Sequence, residues 1–100
     1  MIVAGYERPG ILCTAVMASV PGDPLWADIL RELPSVIQIH GGNSGQAGPL
    51  LFSRHAAACQ RVRKLPPDAF YPYGWWEKHR RGEDFPQAFA VHHWEGSWLT

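Results

Sequence analysis

Charge of one sign is what this sequence lacks most plainly. Nine Lys/Arg stand against nine Asp/Glu, so the formal net charge is zero. Binding to nucleic acid or to an anionic membrane surface calls for a clustered excess of Lys/Arg, so no nucleic-acid partner is expected. Cysteine is scarce too. Cys13 and Cys59 form no Cys-x-x-Cys and no disulfide framework, and they read as reduced thiols in a cytoplasmic protein. No apolar run approaches the ~20 residues of a membrane span. Glu7 and Arg8 fall where a secretory signal would need its apolar stretch. Repeats of fixed period and low-complexity tracts are missing as well. What is present is a chain of 100 residues, 46% apolar and 18% charged, which is the composition of one globular domain. Its five Trp and three Tyr fall mostly beyond residue 70.

Two short apolar runs, Ile2 to Tyr6 and Ile11 to Ala18, flank Arg8-Pro9-Gly10. The second is apolar at both alternating positions, which suits a strand covered on both faces, and a buried helix has the same pattern. Pro21-Gly22-Asp23-Pro24 marks a turn into a helix, with Asp23 as the N-cap and Pro24 at the first helical position. Leu25, Trp26, Ile29, Leu30 and Leu33 share one face of that helix, opposite Asp28, Arg31 and Glu32, and Pro34 is expected to end it. Gly41 to Gly48 reads as a flexible loop and Pro49 as the start of a second helix running through Cys59. After Pro66-Pro67, residues Asp68 to Tyr73 suggest a short edge strand and a turn. Glu77 to Asp84 reads as a charged loop and Ala88 to Trp94 as a final strand. Alternating strands and helices place the chain in the α/β class.

Three segments bear on chemistry. The Gly-rich loop GGNSGQAG has neither the lysine of a P-loop nor a GxGxxG pattern, so it reads as a connector. Gly48-Pro49 at a helix start would nevertheless leave backbone N–H groups free for an anion. The basic clusters Arg61 to Lys64 and Lys78 to Arg81 lie close to Asp68, Glu77, Glu83 and Asp84 and read as solvated faces. Val91-His92-His93-Trp94-Glu95-Gly96-Ser97-Trp98 is the most informative stretch. On a strand, His92 and His93 point to opposite faces and cannot share one ion. A bend at Gly96 would bring Glu95 and Ser97 oxygens beside His93, a donor set that suits Mn²⁺ or Mg²⁺ better than structural zinc. Trp94 and Trp98, like Trp75 and Trp76, offer flat faces for a sugar or base, or else serve as core.

Four segments in order resemble one family, the glycosyltransferases with a DXD-containing sugar-binding region, which includes fungal mannosyltransferases and bacterial capsular sugar transferases. Ala15 to Trp26 is similar to its small-apolar strand, Pro-Gly-His-Pro and helix. Gly48-Pro49-Leu50-Leu51 is similar to its Thr-Gly-Pro helix start, and Phe70-Tyr71-Pro72 to its Phe-Tyr-Pro. The closing segment resembles its His-His-Trp-x-Gly-Ser-Trp. The sequence departs from the family in three places. No Asp-x-Asp is present, Ala47 stands where threonine is usual, and Cys13-Thr14 stand near a usual asparagine.

The resemblance implies the C-terminal part of a GT-A α/β fold, with residues 1–100 a single partial domain whose DXD half is absent. It implies transfer of a hexose from a nucleotide sugar to a glycan or lipid-linked acceptor hydroxyl, with Mn²⁺ (or Mg²⁺) stabilising the leaving diphosphate. His93 would be the metal ligand, with Glu95 and His92 as lesser candidates. Ser97, Trp98 and Trp94 would lie beside the donor. A chain lacking the DXD half is expected to be nearly inactive alone and to suit a separate N-terminal half. The alternatives are a carbohydrate- or nucleotide-binding module built on tryptophan stacking, and a split-protein partner that completes another chain's fold.

Overall fold

The first two apolar runs form a hairpin. Strand β1 (Ile2–Arg8) pairs antiparallel with β2 (Ile11–Ser19) across Pro9-Gly10, where Gly10 adopts the φ of 79° that the turn needs. The computed structural model describes residues 1–43 and 45–96. A third strand, β3 (Val62–Leu65), lies parallel to β1 on its other side, from Ile2 opposite Val62 to Gly5 opposite Leu65. The sheet order is therefore β2-β1-β3. Parallel neighbours need a long crossover, and the helices between β2 and β3 supply it. The α/β class expected from the sequence is the class observed.

Helix α1 (Pro24–His40) begins as its sequence dictates. The Asp23 carboxylate accepts the Leu25 N–H at 2.9 Å, and Pro24 occupies the first turn. Arg61 grips the same carboxylate with two bonds of 2.9 and 3.1 Å, tying the helix start to the approach to β3. These two partners, Arg61 foremost, hold Asp23 below the usual carboxylate range. Helix α2 (Leu51–Ala56) follows a π-helical turn over Gln46–Leu50. Both helices cover one face of the sheet, where Ile2, Ala4, Leu12, Leu25, Phe52, Ala56 and Val62 form the core. Trp26 stacks on Phe52 at 5.7 Å at the rim of that core. Ser53 pins α2 to the outer edge of β2, its hydroxyl accepting the Leu12 N–H at 2.8 Å.

The opposite face of the sheet is covered by aromatics. β1 alternates, so Gly5 points away from the helices, and the rings of Phe70 and Tyr71 rest on it. Tyr71 reaches the outer edge of β2, where its hydroxyl accepts the Val16 N–H at 3.0 Å.

Several local expectations are corrected. Pro34 does not end α1, which continues to His40 and closes at Gly41, φ 64°, whose N–H bonds Ile37 O at 2.8 Å. Proline removes one helical hydrogen bond, but Pro34 is exposed, and Val36 beyond it is buried and anchors the extra turn. Leu30, placed on the inner face by periodicity, is 66% exposed. β2 is covered on both faces only in its first half, since Ala15, Met17, Ala18 and Ser19 are exposed. Helical structure begins at Gln46, before Pro49, with the Asn43 side chain accepting the Gln46 N–H at 3.0 Å. Gly48-Pro49 therefore lies within a helical stretch and presents no helix start to an anion.

The expected strands at 68–73 and 88–94 are absent. The first region opens with a 3₁₀ turn over Pro67–Ala69. The second hangs beside it by single bonds, Phe89 N–H to Ala69 O at 2.8 Å and His92 N–H to Phe70 O at 3.1 Å. Pro72 removes a donor from the first stretch, and in the second only the N–H groups of Phe89, Ala90 and His92 reach carbonyls of residues 69 and 70, which makes no continuous ladder. Conversely, β3 lies in what the sequence presents as a basic cluster.

Candidate functional site

A cavity of about 760 Å³ opens where β2, the π-helical turn and the C-terminal segment meet. That volume suits a ligand of nucleotide size. Glu7, Arg8, Ile11, Cys13, Thr14 and Ala15 from the hairpin form one wall, and Gly45, Pro49 and Leu50 another. His92, His93, Trp94, Glu95 and Gly96 form the third, with Trp75 and Lys78 beside them. Three stretches widely separated in sequence thus share one concave surface.

Tyr71 and Tyr73, both buried, shape the third wall from beneath. The His92 ring packs edge-on to Tyr71 at 5.9 Å and against Trp94 at 4.3 Å. Burial, and then the neighbouring His93, lower the proton affinity of His92, so this ring is neutral at physiological pH. The Nδ1 of His93 lies 3.0 Å from the Tyr73 hydroxyl. The Trp94 indole N–H donates to Tyr73 O at 2.9 Å. Trp94 adopts φ 56°, a left-handed conformation costly for a bulky residue, and its indole hydrogen bond and ring contacts hold it there. Gly96 takes φ 65° two residues on, a left-handed conformation that glycine adopts freely, and the placement of Ser97 expected from a bend here lies outside the described residues.

The electrostatics of the cavity are mixed. Arg8 and Lys78 bring positive charge to its walls, while Glu7 and Glu95 bring negative charge. The Glu95 carboxylate is taken up by an ion pair with Arg81. Burial raises the Glu7 carboxyl above its ordinary value, with Arg8 opposing. The Cys13 thiol is likewise raised by burial. The buried hydroxyl of Tyr71, beside that thiol, is held neutral for the same reason.

Of the residues singled out in the sequence, Trp94, His93, His92 and Glu95 all line the cavity. Ser97 and Trp98 lie outside the described residues. Both histidines line the one cavity, and the segment that carries them is not a strand. Trp75 joins the cavity, whereas Trp76 folds over Gly74. Sequence reasoning missed Glu7, Arg8, Cys13 and Thr14, which carry no motif and reach the cavity only through the hairpin. Lys78 was visible as part of a basic cluster.

Among the described residues, no group of three or more His, Cys, Asp or Glu is arranged to hold a metal ion. With Glu95 on Arg81 and His93 Nδ1 on Tyr73, the side chains present do not by themselves fit Mn²⁺ or Mg²⁺. No described helix is long and apolar enough to cross a membrane. Comparison of the chain with protein-family models, curated proteins and solved structures gives no match.

Proposed function

We propose that the chain is the donor-facing C-terminal part of a glycosyltransferase that moves a hexose from a nucleotide sugar to an acceptor hydroxyl. One observation carries the reading. Three of the four segments that resemble the family, through Ala15, through Pro49-Leu50 and through His92 to Gly96, converge on the walls of a single cavity. Residues packed only for a core would not have to meet there.

In this reading Arg8 and Lys78 attract the donor diphosphate and stabilise the charge that builds on the leaving nucleoside diphosphate. Trp75 and Trp94 supply flat apolar faces for the sugar or base. The GT-A fold, Ser97 and Trp98 as donor contacts, and placement in the cytoplasm belong to the same proposal. A divalent metal would need carboxylates beyond those described here, such as those of a separate N-terminal half. The isolated chain is accordingly expected to bind donor but to transfer little or no sugar.

The test is a titration of the chain with UDP-hexoses and GDP-hexoses, with and without Mn²⁺, followed by tryptophan fluorescence and by release of free hexose. Saturable quenching that is lost in Trp94→Phe supports the reading, and no response to any sugar nucleotide contradicts it. A second reading, a stacking module for carbohydrate alone, is favoured by Trp75, which lines the cavity yet remains 53% exposed. That reading predicts quenching by free oligosaccharide and none by nucleotide.

A further inference from the structure

The Tyr73–His93 contact fixes more than the position of a ring. Tyr73 is 1% exposed, and no buried side-chain nitrogen or oxygen among the described residues lacks a hydrogen-bond partner. The side-chain hydrogen bond of its hydroxyl is the one to His93 Nδ1 at 3.0 Å. Two proton arrangements fit that distance. If Nδ1–H donated to the phenol oxygen, the phenolic proton would be left buried with no acceptor among the described residues, which is the costly outcome. If the phenol donates to Nδ1, both groups are satisfied. The neutral ring must then carry its own proton on Nε2.

His93 itself is exposed and lines the cavity. Its Nδ1 edge is held by the buried tyrosine, so the Nε2 edge is the one a ligand can meet. We infer that Tyr73 is a positioning residue that locks His93 as an Nε2–H donor toward an anionic oxygen of the ligand, a diphosphate oxygen on the reading given above. A nitrogen that carries a proton has no lone pair for a cation. The arrangement therefore assigns His93 to hydrogen bonding and not to metal ligation, in agreement with the incomplete donor set around it. The Trp94 N–H to Tyr73 O bond reinforces the same alignment, since it fixes the next residue to the tyrosine's own backbone.

The experiment is long-range ¹H–¹⁵N correlation of the histidine rings in the whole chain at a pH where the rings are neutral, with His93 assigned by loss of its signals in His93→Gln. The expected pattern for His93 is unprotonated Nδ1 and protonated Nε2, giving way in Tyr73→Phe to averaged tautomers. A protonated Nδ1 in the parent chain overturns the inference, even if Tyr73→Phe fails to fold, and leaves the glycosyltransferase reading standing. So does a tautomer pattern unchanged in a folded Tyr73→Phe. Addition of UDP then separates the two claims. Shifts at His93 Nε2, with affinity weakened roughly two- to tenfold in Tyr73→Phe, about the value of one neutral hydrogen bond, support both. The expected tautomer with no UDP response anywhere in the cavity removes the nucleotide-sugar reading and the diphosphate role of His93 with it.

Discussion

Gly5→Ala tests how the aromatic layer is seated on the sheet. A methyl group at Gly5 falls 2.8 Å from Phe70 Cδ2 and 3.2 Å from Tyr71 Cε2. Carbon atoms prefer about 3.5–4.0 Å, so the Phe70 ring must move out by roughly 0.7 Å or more and the Tyr71 ring by roughly 0.3 Å or more. Pairing with Leu65 holds the backbone of Gly5 on its β3 side, although the pairing with β2 is irregular between Ala4 and Tyr6. Overpacking of this kind costs about 1–3 kcal/mol. In a chain this short each kcal/mol lowers Tm by about 4–8 °C. The strain is also passed to the cavity wall, since Phe70 O holds the His92 N–H at 3.1 Å and Ala69 O holds the Phe89 N–H at 2.8 Å. Urea and thermal unfolding followed by tryptophan fluorescence measure the loss. Phe70→Leu removes the ring edge that the new methyl meets, so the double variant should recover part of the penalty, with a coupling of about 0.5 kcal/mol or more. A Gly5→Ala chain within about 0.5 kcal/mol of the parent, or strictly additive variants, would refute this account of the layer.

Three further outcomes follow from the same contacts. Ser53→Ala leaves the Leu12 N–H on the edge of β2 without its partner and should cost about 1–2 kcal/mol in urea unfolding, with Ser53→Thr costing less. The lowered proton affinity of His92 means that the folded chain binds fewer protons than the unfolded one below about pH 6.5. Stability should therefore fall as pH drops from about 6.5, and His92→Gln should flatten that slope, as read from Tm against pH between pH 5 and 8. Cys13 is nearly buried on the cavity wall with its thiol raised, so in the native chain Cys59 should react first with a thiol reagent and Cys13 more slowly, as read by mass spectrometry of the labelled peptides.

The parts of the fold that were legible in the sequence are those fixed by local chemistry. Asp23-Pro24 announces a helix start because a carboxylate acceptor and a fixed φ act within one turn, and the structure has the helix there. The hairpin is legible because Pro9-Gly10 separates two apolar runs. Features that depend on distant partners were not legible. Pro34 looks like a stop until Val36 is seen to be buried beyond it. β3 is four residues long and carries Arg63 and Lys64, so only its pairing with β1 makes it a strand. The C-terminal segment looks like a strand by composition, yet its bonds are to single carbonyls of residues 69 and 70, and Trp94 and Gly96 take positive φ. The candidate site was half visible. His92, His93, Trp94 and Glu95 stand together in one motif, but Glu7, Arg8 and Thr14 join them only through the antiparallel register of the hairpin.

The central claim, that one cavity receives a nucleotide sugar, is tested most directly by mapping backbone amide shifts while the chain is titrated with UDP-hexose and GDP-hexose. The account predicts saturable shifts concentrated at Thr14-Ala15, at Leu50, at Trp75 and Lys78, and from His92 to Gly96. Shifts that do not saturate, or that scatter over α1 and β3 with none at the cavity, would contradict it.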